Sequence, residues 1–333
     1  MRKSNLAFLI MAICIVLAAK SQATEIATSL AADHAGVIYF QSSNPPTFSS
    51  LVRRAPAPTA RVSGELQFPE STSIKLPAVI IGHGSGGISQ EREYAWADFL
   101  RSQGYATFVV DSFSARGLSQ VATNQSALPF AASVVDLLNA LKLLSTHPRI
   151  DPDKIAVLGF SRGGFAALYS TIESIRSAVI DSSVKFAAHI PFYPGCVVIG
   201  EKYTGSPVQI HLGDDDDYQE IPQCERYVAL LKSKGVHAEL MIYPGARHGF
   251  DRTDLRMIDS RRAETWKLCD LVANVDTGVS LRYDTGERLA STAAAIEYYN
   301  SCKKYGVRVQ GNSASRERAR ELVRTFLEQS IGP

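Results

Sequence analysis

The chain has 333 residues, 45% of them hydrophobic and 20% charged, with a formal net charge of +2; this suits one large globular domain or two small ones, and no internal repeat argues otherwise. Without Arg2, Lys3 and Lys20, which belong to the N-terminal segment taken up next, the charge falls to −1. So small a balance gives no electrostatic reason to expect nucleic acid or an anionic membrane as partner.

Arg2 and Lys3 precede an unbroken apolar run from Leu6 to Ala19, followed by Lys20-Ser21-Gln22-Ala23. This is the layout of a secretory leader, residues 1–23, with small side chains at Ser21 and Ala23 before a cut after Ala23. The run is too short to span a bilayer comfortably, so the expectation is an exported protein, periplasmic or secreted, without stable membrane insertion. Cys14 lies inside the run behind Ile13, a setting unlike a lipid-attachment site. Cys196, Cys224, Cys269 and Cys302 remain, and an even number in an oxidising compartment favours two disulfides, with three pairings open. Sequential pairing, Cys196 with Cys224 and Cys269 with Cys302, closes two loops of roughly thirty residues, worth about 3 to 4 kcal/mol each in the chain-entropy model. No Cys-x-x-Cys and no close histidine pair points to a metal.

Residues 24–60 show little periodicity and contain Asn44-Pro45-Pro46 and Ala55-Pro56-Ala57-Pro58, which predicts an irregular arm or linker. From residue 61 to 333 the pattern is that of an α/β domain. Strands are predicted near Leu76 to Ile81, Ala106 to Val110, Ile155 to Phe160, Phe186 to Phe192, Val208 to Leu212 and Ala238 to Tyr243. Helices are predicted near Gln90 to Ser102, Ala131 to Ser145, Gly163 to Ile175 and Pro222 to Lys234. This alternation implies a mostly parallel sheet flanked by helices on both faces, and the near-continuous apolar strands suit burial on both sides. Residues 252–306 read as a partly helical excursion, broken at Asp276-Thr277-Gly278 and Asp284-Thr285-Gly286 and stapled by Cys269 and Cys302. A closing amphipathic helix is predicted from Ser313 to Gln329.

Gly159-Phe160-Ser161-Arg162-Gly163-Gly164 directly follows the strand Ile155-Ala156-Val157-Leu158 and directly precedes an apolar helix. A nucleophilic serine needs a sharp strand-to-helix turn to project its hydroxyl, and side chains two residues to either side would collide with the strand and helix. Ser161 is therefore the candidate nucleophile, against the plainer role of a helix cap. Its base should be an imidazole. Of seven histidines, His34 and His147 lie in the arm and at a helix end, and His189, His211 and His237 sit in or beside strands. His248 lies in the loop Tyr243 to Phe250 after the last clear strand, where such a sheet presents catalytic groups. Between them, the strand Val208 to Leu212 runs into Asp214-Asp215-Asp216-Asp217, and one of these aspartates can orient the imidazole. The run lacks the alternating spacing of a calcium loop. An oxyanion would meet the backbone N–H of Arg162 and, from His83-Gly84-Ser85-Gly86-Gly87, that of Ser85 or Gly86.

Together with Val110-Asp111-Ser112-Phe113-Ser114-Ala115-Arg116-Gly117, these motifs resemble the dienelactone hydrolase family over roughly residues 62 to 250. The resemblance implies the α/β-hydrolase fold, a triad of Ser161, Asp216 and His248, and no metal or organic cofactor. It also suggests His83 and Arg116 as substrate-binding residues. The enzyme that names the family uses a cysteine nucleophile, so the serine here favours a carboxylic ester over a dienelactone, with a small-molecule ester as the partner. Two other readings stay open. Gly82-x-Gly84-x-x-Gly87 after a strand, with Asp111 ending the next one, fits an NAD-dependent oxidoreductase, and a non-catalytic binding protein could keep the same fold. Arg116 and Arg162 are also candidates to meet a substrate carboxylate.

Overall fold

In the computed structural model, which describes residues 25–70, 75–254 and 256–332, the apolar runs form the middle of one nine-stranded sheet. In chain order the strands are Ile26–Ala27 (β1), Gly36–Ser43 (β2), Thr59–Gln67 (β3), Leu76–Gly82 (β4), Ala106–Asp111 (β5), Ile150–Phe160 (β6), Ala188–Phe192 (β7), Val198–Ile199 (β8), Val208–Gly213 (β9) and Ala238–Tyr243 (β10). The order across the sheet is β1-β2-β3-β5-β4-β6-β7-β9-β10, with β8 lying outside it. From β5 to β10 every pairing is parallel, whereas β3 runs antiparallel to both β2 and β5. β4, β7 and β9 are buried along their whole length, as parallel strands covered on both faces must be.

The covering helices are Phe48–Val52 (α1), Ala95–Ser102 (α2), Phe130–Leu144 (α3), Arg162–Tyr169 (α4), Glu173–Val179 (α5) and Ile221–Ser233 (α6), with Thr292–Cys302 (α7) and Ser313–Ser330 (α8) later in the chain. One turn of π-helix, Gln90–Tyr94, leads into α2. The helix expected from Gly163 to Ile175 is two helices. Ser170 and Thr171 turn their hydroxyls back onto the carbonyls of Ala167 and Leu168, a local bond that competes with the helical ladder, and Glu173 donates instead to the Lys202 carbonyl. α8 buries Ala319, Val323, Phe326 and Leu327, one stripe of the helical period.

Two expectations need correction. Residues 24–60 are no irregular arm: β2 and β3 extend the sheet, and Leu30, Ile38, Phe40 and Leu51 join the core. The alternating burial of Ile38, Phe40 and Ser42 is a strand signal that the prolines after it obscured. The excursion at 252–306 is mainly β-structure. It comprises Ile258–Thr265 (β11), Leu271–Asn274 (β12), Ser280–Arg282 (β13), Arg288–Leu289 (β14) and Lys304–Val309 (β15), with α7 its one helix among the described residues. The two Asp-Thr-Gly segments are the turns of the hairpins β12-β13 and β13-β14, and chain-reversing residues of this kind mark hairpins as readily as broken helices.

Cys196 is bonded to Cys224 and Cys269 to Cys302. The first bridge ties the chain after β7 to α6, and the second ties the approach to β12 to the end of α7. The leader proposed for residues 1–23 lies outside the described residues, and among those described no helix is long and apolar enough to cross a membrane.

Phe40 is 2% exposed and packs its ring 6.0 Å from that of Phe108 on the central sheet. Phe40→Ala should cost about 3 to 5 kcal/mol, the usual range for emptying a buried aromatic site, read from the shift in the urea midpoint. A loss below about 1 kcal/mol, typical of surface positions, would mean that β2 is a detachable arm after all.

Candidate active site

Four loops at the carboxyl ends of parallel strands meet above the sheet, where this architecture presents functional groups. Ser161 follows β6 and precedes α4. Its backbone adopts φ 51° and ψ −113°, a left-handed geometry that a residue with a side chain adopts only when its surroundings impose it. The imposing contacts are visible. The Ser161 N–H donates to the Phe192 carbonyl at 3.0 Å, and the Ser161 carbonyl accepts from Phe165 N–H at 2.8 Å. A Cβ on Gly163 would collide with the Gly82 carbonyl, and one on Gly159 with the Gly163 carbonyl, so the helix can approach the sheet this closely only with glycine at both positions. The serine side chain itself is partly exposed.

His248 follows β10, and its Nδ1 lies 2.9 Å from Asp216 Oδ2. An ionised carboxylate accepts only, so Nδ1 carries the hydrogen and Nε2 keeps a lone pair. Asp216 follows β9 and is 1% exposed. Its other oxygen accepts the N–H groups of Tyr218 and Gln219 at 2.6 and 3.1 Å, which fix the carboxylate plane. The other three acids point elsewhere. Asp214 accepts from Gly245 N–H, Asp215 pairs with Arg247, and Asp217 is held by the backbone and guanidinium of Arg308. Burial opposes ionisation of Asp217, yet the Arg308 bonds keep its carboxyl below the usual range.

Several residues that frame the site carry no sequence motif. The imidazole of His248 lies between the rings of Tyr193 and Tyr218, at 4.2 and 4.3 Å. Tyr193 directly follows Phe192, whose carbonyl holds Ser161, so one dipeptide supports both residues. The Tyr193 hydroxyl donates to Asp251 Oδ1 at 2.6 Å, and the Trp96 indole donates to Asp251 Oδ2 at 2.8 Å; burial pushes the Asp251 pKa up despite nearby Arg92. The excursion grips the same loops. Lys267 Nζ donates to the Asp216 carbonyl, Thr265 to the Asp217 carbonyl at 3.0 Å, and β15 forms a bridge from Val309 to His248. These contacts span dozens of residues in sequence and leave no spacing signal.

Of the proposed donors, Arg162 directly follows Ser161, and its Nε reaches the Ser85 hydroxyl at 3.4 Å. Arg162 opens α4, where the first N–H groups of a helix lack an intrahelical acceptor. Ser85 follows β4, with its carbonyl accepting from Val121 and its hydroxyl donating to Gln125 Oε1 at 2.8 Å. The two residues suggested for substrate binding do not reach the cleft. His83 is buried, with Nδ1 on the Gly84 carbonyl and Nε2 accepting from Ser112 N–H, and burial pushes its pKa down; it ties two loops together. Arg116 makes a bidentate pair with Asp136 and also donates to Asn44 and to the Ser112 carbonyl. The Arg162 guanidinium is 1% exposed with its residue and turns inward. His189 and His211 are buried structural histidines, pulled down to about 4 and about 3 by desolvation.

The residues of the dinucleotide reading have local roles instead. A Cβ on Gly82 would crowd Leu137 and Gly163, and one on Gly84 the Arg92 guanidinium and the Phe160 carbonyl. The N–H groups of Phe113 and Ser114 both donate to Asp111 Oδ1, so that carboxylate caps the turn after β5.

The profile of the dienelactone hydrolase family matches residues 62–269. A Bradyrhizobium protein provisionally assigned as a 2-oxo-3-(5-oxofuran-2-ylidene)propanoate lactonase is 23% identical over 185 residues, covering 53% of this chain and 74% of its own length. The quorum-quenching protein AidA of Acinetobacter baumannii is 28% identical over 116 residues, covering 35% of this chain and 38% of its own length. Among solved structures, one from Klebsiella pneumoniae assigned as a dienelactone hydrolase superposes with a TM-score of 0.51 at 15% identity, covering 88% of this chain and 99% of its own; at that identity it speaks for the fold.

Gly163→Ala should push α4 off the sheet and distort the elbow, so that a fluorophosphonate probe labels the variant at least about tenfold more slowly than wild type, in keeping with the cost of misplacing a catalytic group by an ångström. Labelling at the wild-type rate would show that the close approach is dispensable.

Proposed function

Because this chain belongs to the dienelactone hydrolase family of α/β-hydrolases, we propose that it hydrolyses carboxylic esters or lactones through an acyl-enzyme, with Ser161 as nucleophile, His248 as base and Asp216 as the orienting acid. The observation that carries the reading is the forced left-handed turn at Ser161 beside a histidine whose Nδ1 is held by a buried carboxylate. His248 Nε2 takes the Ser161 proton as Oγ bonds to the substrate carbonyl carbon. Asp216 keeps the productive tautomer and stabilises the imidazolium. The carbonyl oxygen, now carrying the negative charge, meets the backbone N–H groups of Ser85 and Arg162. Collapse expels the alkoxide with the proton from His248, and water attacks the acyl-serine by the same route in reverse.

The two disulfides suit an oxidising, extracytoplasmic compartment, and export with cleavage after Ala23 belongs to the same reading. N-terminal sequencing of the protein recovered outside the cytoplasm tests it.

A fluorophosphonate probe separates a hydrolase from a binding protein on the same fold, since an activated serine is labelled and an idle one is not. Ser161→Ala should abolish labelling and nearly all turnover of a short-chain p-nitrophenyl ester, leaving roughly 10³-fold catalysis over water from the remaining site. Unchanged kcat in that variant removes the nucleophile assignment.

Asp216→Asn should lower kcat by up to about 10⁴ with the fold intact, because an amide no longer selects the right imidazole tautomer. The same change at Asp214, Asp215 or Asp217 should cost less than about tenfold, since each holds a loop rather than the imidazole. Equal losses at all four positions would reduce Asp216 to one member of an acidic field.

A further inference from the structure

The Arg162 side chain is a cation in an unusual position. It is 1% exposed, and among the described residues no carboxylate pairs with it. Arg92, Arg116 and Arg176 are also withdrawn from solvent, but each lies against an acid: Glu93 at 2.7 Å, Asp136 at 2.7 Å and Glu173 at 2.6 Å. Arg162 has only neutral acceptors. Its Nη1 donates to the Leu128 carbonyl and its Nη2 to the carbonyl and Oε1 of Gln125, all at 2.9 Å; its Nε reaches Ser85 Oγ at 3.4 Å. The Phe130 ring lies 4.0 Å from the guanidinium carbon. Desolvation lowers its pKa with no opposing charge, yet a guanidinium stays protonated in proteins. Four neutral acceptors replace part of its hydration, but an unpaired buried charge remains a net cost to the folded state.

The place of this charge explains its retention. Its own backbone N–H and that of Ser85 are the two proposed oxyanion donors, and its Nε touches the Ser85 hydroxyl. We propose that the Arg162 guanidinium is a positioning and electrostatic residue for acyl transfer, and that its missing counter-ion is the negative charge that develops on the substrate oxygen beside Ser161. The guanidinium pins Ser85 and Gln125, so that the second donor is fixed before reaction, and its field reaches the oxyanion from a buried position, where a charge is less screened than at the surface. The ground-state ester is neutral and gains little. The stabilisation therefore appears in kcat rather than in KM. A substrate carboxylate cannot take the same place, because the side chain faces the interior and offers no surface to a ligand.

This inference rests on the proposed function, so the wild type is first tested for fluorophosphonate labelling and ester turnover. If both are absent, the hydrolase reading falls and the role of Arg162 with it. If both are present, Arg162→Gln and Arg162→Lys are compared on a neutral short-chain p-nitrophenyl ester and on an alkyl boronic acid, which forms an anionic tetrahedral adduct with an active serine. Circular dichroism establishes that each variant is folded. Arg162→Gln should lower kcat by about 10²-fold, the scale of one lost oxyanion contact, and weaken the boronic acid by a similar factor, with KM within about threefold. Arg162→Lys, which keeps the charge without the fork, should recover at least about tenfold of that loss. Three results overturn the proposal. One is kcat for Arg162→Gln within about threefold of wild type. Another is an equal loss in both variants, which makes the fork a purely structural tie. The last is a rise in KM confined to esters that carry an anionic group, which makes Arg162 a ligand anchor.

Discussion

Everything in the site depends on how closely α4 approaches β4 and β6. The backbone of Ser161 is held in a conformation that costs about 1 to 3 kcal/mol, and it persists because Gly159, Gly163 and Gly82 let main chain touch main chain while the Phe192 carbonyl takes the serine N–H. The strain has a use. A serine on a relaxed helix would lie along the helix surface, whereas this one stands at the end of a strand buried from Ile155 to Phe160, and Ser161 itself is partly exposed. The helix that follows opens with free N–H groups beside the serine, so the proposed nucleophile and one of the two proposed oxyanion donors are set by one backbone event, while Ser85 comes from the separate loop after β4.

The base is positioned by a separate assembly. The His248 loop has only a short connection to β10, so its geometry is imposed from three sides. The Asp216 carboxylate takes Nδ1, the rings of Tyr193 and Tyr218 pack against the imidazole at tilted angles, and β15 pairs with the loop through Val309. Asp251, three residues past His248, is locked to Tyr193 and Trp96, and Tyr193 is itself strained at φ 38°. The strain at Tyr193 resembles that at Ser161 in its logic: both residues sit where a strand ends abruptly, and both are held by bonds to neighbouring strands, since Tyr193 N–H donates to the His211 carbonyl at 2.6 Å. The disulfide-stapled excursion is thus part of the support for the proposed acid Asp216 and base His248, with Lys267 and Arg308 holding the Asp216–Asp217 segment from outside.

What could be read in advance followed the range of each interaction. Strands β4 to β7, β9 and β10, the elbow and the loop with His248 were legible, because each is specified by residues within about ten positions: buried apolar runs, paired glycines, a histidine after a strand. Position alone narrowed the candidate acid to four consecutive aspartates, and the family resemblance picked Asp216; the structure engages the other three through Gly245, Arg247 and Arg308, all far along the chain. β2 carried its alternation in Ile38, Phe40 and Ser42 but was masked by the proline-rich stretch that follows it. The β-rich excursion was misread because Asp-Thr-Gly ends a helix or turns a hairpin equally well, and only the partner strand decides. Tyr193, Tyr218, Gln125 and Asp251 were invisible for the same reason; their roles are contacts, and no local pattern announces a contact.

The arginines show why residue type beside a motif is a weak guide to role. Arg116 and Arg162 each follow a family-like signature and each looked able to meet a substrate anion. Their counter-ions separate them. Arg116 joins Asp136, which also accepts the Ser42 hydroxyl, so this buried cluster ties β2 and the loop after β5 to α3; its charge is neutralised within the fold, and removing either partner would leave a buried charge uncompensated, a change usually worth about 3 to 5 kcal/mol. Arg162 is buried more deeply and, among the described residues, has no acid. In a fold that otherwise gives its buried arginines a carboxylate, that exception falls on the residue next to the nucleophile, where a resident carboxylate would cancel the field available to an oxyanion. The absence of a partner there is what the chemistry requires: a site that must stabilise a charge appearing only in the transition state cannot keep that charge's substitute bound at rest.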